Sequence, residues 1–383
     1  MRFVIPISEL IELLSKLQNI VAQKATIPIL SNLLVEAAND ELVVTATDLT
    51  VGIRCFTSAK IVEEGATTLP AKRFFQLARE LTAPHIEIST SPDQITEVIA
   101  NSSRFKIHGM HRREYPSLPD LGGAVKVTIS QKDLKEALHR TAFAVSKEDS
   151  RFVLTGVFLK IEGETATFVG TDGKKLSKTR APLESPCSTP QELIIPIKTV
   201  EEMIKNLDNQ GSAKLYLLED KLAMEANQTI IISKLLTGEY PDVDQVIPKQ
   251  TTHQVVLHRE ELISLLRQIS LFTSESNHSV RFILQEGELV LRANSAELGQ
   301  GIVSMPINYH AERLEIAFNP TYFLEVLRHC HQEAVTLGVI DAFNPSILVD
   351  GETLNPSTIT IHGETLPGPN PLYVLMPMRI NEE

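Results

Sequence analysis

Arg79, His139, Lys205, Arg267 and Arg328 each stand five places after the first apolar residue of a helical stripe, and Lys72, Lys132 and Lys198 each stand two places before one. At about 100° per residue both offsets fall roughly 140–160° round from the stripe. Such helices carry cations on the face turned away from their apolar side, in register from copy to copy; only the first helix has an uncharged residue, Ser15, at the first of these places. Aligned side by side, they form a basic track suited to phosphates and without any base-reading pattern. The competing reading is a solvated helix face with ordinary ion pairs, since Glu136–His139, Glu202–Lys205 and Glu325–Arg328 have i, i+3 spacing. Each such pair contributes only about 0.2–0.5 kcal/mol.

Other constellations are weaker. Thr171-Asp172-Gly173-Lys174-Lys175-Leu176 resembles part of a phosphate loop, but Phe168 stands where the first glycine of GxxxxGK[ST] belongs, and a plain Asp-Gly hairpin turn is the better reading. Its repeat partner is Thr47-Asp48-Leu49. Arg328-His329-Cys330-His331 invites a metal reading, yet neighbours on a helix point to different faces, and Cys330 belongs to a buried stripe. There is no HExxH, no GxSxG and no Cys/His pair with nucleophile spacing. Nothing argues for catalysis, and no cofactor is called for.

The elements that must position these residues repeat along the chain. The apolar stripe i, i+3, i+4, i+7 occurs at Leu10/Leu13/Leu14/Leu17, Phe74/Leu77/Ala78/Leu81, Leu134/Ala137/Leu138/Thr141, Val200/Met203/Ile204/Leu207, Leu262/Leu265/Leu266/Ile269 and Phe323/Val326/Leu327/Cys330. The copies begin roughly 60 to 66 positions apart, which argues for an internal repeat. After each helix come about three strands. In the first half-repeat these are Ile29–Glu36, Leu42–Thr47 and Val51–Thr57, and Gly65–Pro70 leads into the second helix. The second half has strands at His85–Ser89, Ile95–Ala100 and Arg104–His108; Phe152–Glu162 and Thr165–Gly170 pair in the next, and Ala213–Leu218, Lys221–Ala226 and Thr229–Leu235 follow the fourth helix. Glu114–Gly123 and Glu239–Pro248, both opening Glu-Tyr-Pro, close the first two repeats. The expected architecture is α+β: three domains (1–122, 123–250 and 251–383), each with two helix-plus-strands halves and sheet behind the helices. Asp350–Pro371 is longer than the earlier equivalents and reads as a surface hairpin or loop before a last strand in Tyr373–Ile380.

A chain of 383 residues with 43% hydrophobic content is ample for packed cores. No apolar run approaches a membrane span, and Pro6, Glu9 and Glu12 interrupt what a signal peptide would need, so a cytoplasmic protein is expected. Cys55, Cys187 and Cys330 are too scattered for a disulfide framework or a zinc site. A net charge of −12 argues against indiscriminate nucleic-acid coating but leaves room for a local basic surface. With no Trp and 5% aromatics, base-stacking platforms are not expected.

Over essentially its full length the chain resembles the bacterial DNA polymerase III beta subunits, the sliding clamps. The resemblance rests on TIPILSNLLVEA, LVVTATDLTV, GATTLPAKRFFQLARELT, SRFKIHGM, TGVFLKIEG, VGTDGKKLS, SKLLTGEYPDVDQVIPK, IAFNPTYFLEVL and YVLMPMRI, in that order. It implies the DNA-clamp fold: a head-to-tail homodimeric ring, helices inside and sheets outside, that encircles duplex DNA, tethers the replicative polymerase and does no bond chemistry. An acidic exterior then leaves DNA one favourable place, the basic lumen.

Carried over to this chain, the DNA contacts are Lys24, Lys72, Arg73, Arg79, Lys132, Lys198 and Lys205. The partner-binding groove comprises Leu154, Thr171, Gly173, Lys174, Lys175, Leu176, Pro241 and Val246, with Asn319, Tyr322, Val374, Leu375, Met376, Pro377, Met378 and Arg379 from the third domain. Within it Leu154, Leu176, Val246 and Met376 are expected as an apolar floor and Met378 as an adaptable wall, with the Met376–Arg379 strand fixing an extended peptide. The implied partners are a second copy of the chain, duplex DNA without sequence preference, the polymerase alpha subunit, the clamp-loader delta subunit and other proteins bearing a clamp-binding peptide; no membrane is implied. Lys174-Lys175 stand where His-Arg is common, and Gln245 where Arg is often found. The implied ring contact joins Phe105 and Ile107 to Leu271 and Phe272; of the acidic cluster common there, this chain keeps Glu297, followed by Leu298, Gly299 and Gln300. A scaffold binding proteins alone, or a nuclease with ungrouped carboxylates, are the competing functions.

Overall fold

The structure is a computed structural model describing residues 1–21, 27–148, 151–274, 278–354, 359–361, 364–366 and 370–379. Lys24, parts of Asp350–Pro371, Ile380 and the tail from Asn381 lie outside the described residues. All six stripes form helices: α1 (Ile7–Leu17), α2 (Ala71–Glu80), α3 (Gln131–Ala142), α4 (Ile197–Asn206), α5 (Arg259–Ile269) and α6 (Pro320–Arg328). A strand runs into each one, Arg2–Pro6 into α1, Val125–Ser130 into α3 and His253–His258 into α5, so the repeated half is strand, helix, strands. Local chemistry starts α5 and α6 where their strands stop. Asn319 Oδ1 accepts from Thr321 N–H at 2.9 Å with Pro320 in the first turn, and His258 Nδ1 accepts from Glu261 N–H at 3.3 Å.

The chain divides into two compact units. The first comprises residues 1–135 and 198–235. One of its sheets is five-stranded, with Lys60–Glu63 and Ser103–His108 at the edges. The other runs antiparallel through Gly65–Pro70, Asn32–Ala38, Glu41–Thr47, Val51–Ser58, Thr229–Lys234, Lys221–Ala226, Ser212–Leu217 and Val125–Ser130. α1 packs on α2 and on Val51–Ser58, burying Leu10, Leu13, Leu14 and Leu17.

The second unit comprises residues 136–197 and 236–383. Gly299–Pro306, Glu288–Ser295, Val280–Gln285 and Leu314–Phe318 form its four-stranded sheet, with Gly299–Pro306 at one edge. The other sheet contains His253–His258, Ala334–Val339, Ser346–Asp350, Leu372–Leu375 and Lys175–Pro196, the last also pairing with Gly156–Thr171. α5 and α6 bury their stripes in a core where the rings of Phe282, Phe318 and Phe323 lie 4.8–5.2 Å apart.

Several local expectations are corrected. Pro28–Ser31 and Phe152–Thr155 are single 3-10 turns, not the starts of strands; Pro28 opens the first, and Thr155 Oγ1 closes the second on Phe152 O at 2.7 Å. Gly65–Pro70 leads into α2 as expected, but it is itself a strand paired with Asn32–Ala37. Gly156–Thr171 is one bulged strand, because the still longer Lys175–Pro196 pairs with it from end to end. Leu77, Leu81, Ile204 and Leu265 are only half-buried, so those stripes are narrower than their sequence suggests. The last strand stops at Leu375. In the long connection before it, Ile359–Ile361 and Glu364–Leu366 pair antiparallel, in keeping with the expected hairpin or loop.

Candidate functional site

The chemistry converges on the turn between the two longest strands. Thr171 Oγ1 donates to Lys175 O at 2.7 Å and accepts from Gly173 N–H at 3.1 Å. Asp172 Oδ1 accepts from Lys174 N–H at 2.8 Å and Lys175 N–H at 2.9 Å. Gly173 has φ +82°, a left-handed backbone that favours glycine, and Arg151 Nη2 lies 2.9 Å from where a Cβ would stand. The turn is a tightly bonded platform, not a phosphate cradle: its amides are already engaged.

Beside this platform lies a cavity of about 220 Å³, lined by Leu154, Thr171, Gly173, Lys174, Lys175, Leu176, Pro241, Val246, Val374 and Met376. These ten come from separate parts of the second unit, and all were singled out from sequence. Arg151, Asp242 and Val243 also line it; sequence reading missed them, although Asp242 and Val243 lie between the two edge residues it did name. Leu154, Leu176 and Val374 are buried and make the apolar base, whereas Val246 (44% exposed) and Met376 (38% exposed) stand on the rim. The floor therefore differs from expectation in Val374, which replaces the two rim residues because it faces Leu176 across the ladder. Leu176 and Val374 share an apolar cluster with Val169, Ile347, Val349, Leu354 and Leu372, and Phe158 stacks on Tyr240 beside it at 4.8 Å.

Six expected groove residues do not line the cavity. Leu375, on the opposite face of its strand from Val374, is buried in the main core. Asn319 is spent capping α6. Pro377, Met378 and Arg379 follow the strand's end, where Met376 N–H donates to Lys174 O at 2.9 Å and Met378 N–H to Ala317 O at 2.7 Å. Those two amides hold the chain's own end in place and leave no continuous strand there for an extended peptide. Tyr322 reaches the site indirectly, its ring lying 4.7 Å from Lys175 Nζ.

Lys175 is only 7% exposed. Burial alone would lower its pKa, but Asp172 Oδ2 at 2.7 Å and Glu325 Oε2 at 3.1 Å outweigh that and hold it above the ordinary lysine value. Glu325 thus turns to Lys175 and not to Arg328, and Glu136 pairs with Arg140 and not with His139. A tertiary partner won over the i, i+3 spacing for Glu325, and the i, i+4 neighbour on the same helix won for Glu136. Only Glu202–Lys205, at 2.7 Å, forms as expected.

Of the helix cations, Lys72, Arg73, Arg79, Lys132, Lys198, Lys205, Arg267 and Arg328 are exposed, as is His139. Lys198 is ion-paired with Asp48, and the Arg79 guanidinium lies 5.8 Å from the centre of the Phe75 ring. Among the described residues no group of three or more His, Cys, Asp or Glu side chains is arranged for a metal. His329 stacks on Phe143 at 4.2 Å, Cys330 is buried, and His331 faces Arg140 and Glu136, so these neighbours do not converge. Among the described residues no helix is long and apolar enough to cross a membrane.

The expected ring contacts lie at sheet edges. In the first unit Phe105 is 37% exposed on the edge strand Ser103–His108, but Ile107, two residues further along the same face, is buried. In the second unit Leu271 is 73% exposed, while Phe272 is half-buried against Gly301 of the edge strand Gly299–Pro306; Leu298 and Ile302 are exposed there too.

Three family models match in succession: the DNA polymerase III beta subunit N-terminal domain over residues 1–119, its central domain over 128–242 and its C-terminal domain over 244–361. The beta sliding clamp of Chlamydia pneumoniae is 46% identical over 383 residues, covering 100% of both chains. Among solved structures, a sliding clamp from Pseudomonas aeruginosa superposes with a TM-score of 0.92 at 26% identity, covering 99% of this chain and 100% of that one. The sliding clamp of Bacillus subtilis gives 0.91 at 25%, with 100% of both chains covered.

Proposed function

The chain belongs to the DNA polymerase III beta-subunit family, the DNA sliding clamps, and from that premise we propose that it closes as a head-to-tail homodimer around duplex DNA and tethers the polymerase through the cavity beside Gly173. As a sliding clamp it serves DNA replication as a non-catalytic processivity factor. The observation that carries the tethering is the cavity itself, whose buried leucines and valine sit beneath an adaptable methionine at the rim. Burying one partner Leu or Phe there is worth roughly 1.5–3 kcal/mol, so two anchors support micromolar binding after association costs. The partners are short peptides of the polymerase alpha subunit, the loader delta subunit and other clamp-binding proteins, competing for one site per protomer, and the setting is the cytoplasm.

The chain is organised as clamp domains 1–122, 123–250 and 251–383, a division supported by the three successive family matches. Lys24, Lys72, Arg73, Arg79, Lys132, Lys198 and Lys205 hold DNA by charge without reading bases. The ring closes where the edge strand Ser103–His108 of one protomer meets Gly299–Pro306 of its partner, with Phe105 against Leu271 and Phe272. Unpaired edges are templates for such pairing, and a heterologous contact that closes after two copies gives a ring rather than a filament.

Retention on DNA tests this. Loaded on a closed circle, the protein should stay through a high-salt wash and leave when the circle is cut. The double variant Leu271→Ala/Phe272→Ala should run as a monomer in light scattering and fail to stay on the circle. Equal retention on circular and linear DNA would refute the ring.

A further inference from the structure

The loop at Gly173 has a twin in the first unit. Thr47 Oγ1 donates to Val51 O at 3.0 Å and accepts from Leu49 N–H at 3.0 Å, and Asp48 Oδ1 accepts from Thr50 and Val51 N–H at 2.9 and 2.8 Å. Leu49 takes φ +73° where Gly173 takes +82°. The likeness extends to the strand behind. Val51 and Gly52 face Ser233 and Ile232 in the same register in which Lys175 and Leu176 face Leu375 and Val374. Lys234 N–H donates to Thr50 O at 2.9 Å, as Met376 N–H does to Lys174 O. Leu30 on a 3-10 turn matches Leu154 on its own, and Tyr115-Pro116 matches Tyr240-Pro241.

One exchange sets the twins apart. Where the second unit has Leu176 at the base and Val243 on the wall, the first has Gly52 at the base and Leu118 on the wall. A Cβ on Gly52 would stand 2.4 Å from Leu118 Cδ2, so Leu118 occupies the space above the glycine. Leu118 is half-buried, and residues 116–120 around it join no strand or helix. Ile27 and Leu49, 48% and 45% exposed, extend the apolar surface where Arg151 and Gly173 stand in the twin.

We infer that the first unit carries a second peptide-docking site, filled in cis by the chain's own Pro116–Leu121 segment with Leu118 as its anchor. This rests on the groove reading above, which supplies the template. Its ligand class is an extended, leucine-anchored peptide. A tethered segment holds the site at an effective concentration that is millimolar for short flexible links, enough to exclude free peptides and leave one open groove per protomer.

The test titrates a synthetic Pro-Ser-Leu-Pro-Asp-Leu peptide into the full-length chain by calorimetry, in a Met376→Asp background that blocks the open groove. Met376→Asp alone should not bind it. Adding Leu118→Gly should restore one peptide per protomer, at least tenfold tighter than the same peptide with its first leucine changed to glycine. A folded double variant that binds no peptide, or binding already present in Met376→Asp, overturns the inference. If Met376→Asp instead retains polymerase peptide, the groove reading fails separately. Should Leu118→Gly not fold, Gly52→Leu, which rebuilds the base as in the second unit, should release the segment. Limited proteolysis would then cut within residues 114–123 at least tenfold faster than in the unmodified chain, and an unchanged rate overturns the inference.

Discussion

Replacing Met376 with aspartate puts a charge on the rim of the cavity with little change in size. Met376 is 38% exposed, and the bond it makes to Lys174 O uses its backbone N–H, which the substitution keeps. In the free protein the carboxylate stays hydrated, so stability should shift by no more than about 0.5 kcal/mol, as for other surface changes. The bound state is different. An apolar anchor entering over Leu176 and Val374 would strip water from the carboxylate, costing roughly 1–3 kcal/mol on the scale of protein mutational data. The methionine's own contact with the anchor is lost as well, a further ~1 kcal/mol for part of a side chain. A total near 3 kcal/mol weakens binding by roughly a hundredfold. Fluorescence anisotropy of a labelled alpha-subunit peptide measures this directly, with thermal melting and light scattering as controls for fold and dimer. Retention on circular DNA should survive while processive synthesis collapses. A folded variant whose peptide affinity stays within threefold of the original would refute the placement of the groove.

Two further outcomes follow from the ion pairs. Lys175→Met removes a largely buried cation facing Asp172 and Glu325, which should cost about 3–5 kcal/mol in chemical denaturation, as when one partner of a buried pair is lost. Because the folded pKa of Lys175 is raised, its stabilisation is fully present below the unfolded value of 10.5 and is lost as pH rises through the folded value. From neutral pH upward the gap between the two proteins should therefore stay flat and then close on the alkaline side; a gap that closes between pH 7 and about pH 9 would contradict the assignment. Asp48→Asn should release Lys198 from its partner, strengthening binding to linear duplex and steepening its salt dependence by up to about one phosphate contact. An unchanged slope in gel-shift titrations would remove Lys198 from the DNA surface.

The sequence determined by itself whatever depends on local period and covalent order. The six stripes became six helices because a 3.6-residue period survives any tertiary arrangement that buries one face. The Thr-Asp turns at Thr47 and Thr171 were legible as repeat partners because an aspartate and a threonine there bond their own backbone, whatever surrounds them. Side-chain partners were not legible. Glu325 had a sequence neighbour at suitable spacing, yet the fold offered Lys175 in a buried place where fewer waters compete, while Glu136 took its i, i+4 helix neighbour Arg140 in preference to His139. Strand alternation likewise decided that Val374 floors the cavity while Leu375 enters the core, whereas Phe105 and Ile107 share one face of their strand and differ only in how far the fold covers each. One position, Gly52, gave no warning at all. Its meaning lies in the leucine sixty-six places later that comes to rest on it, and only the folded backbone brings those two residues together.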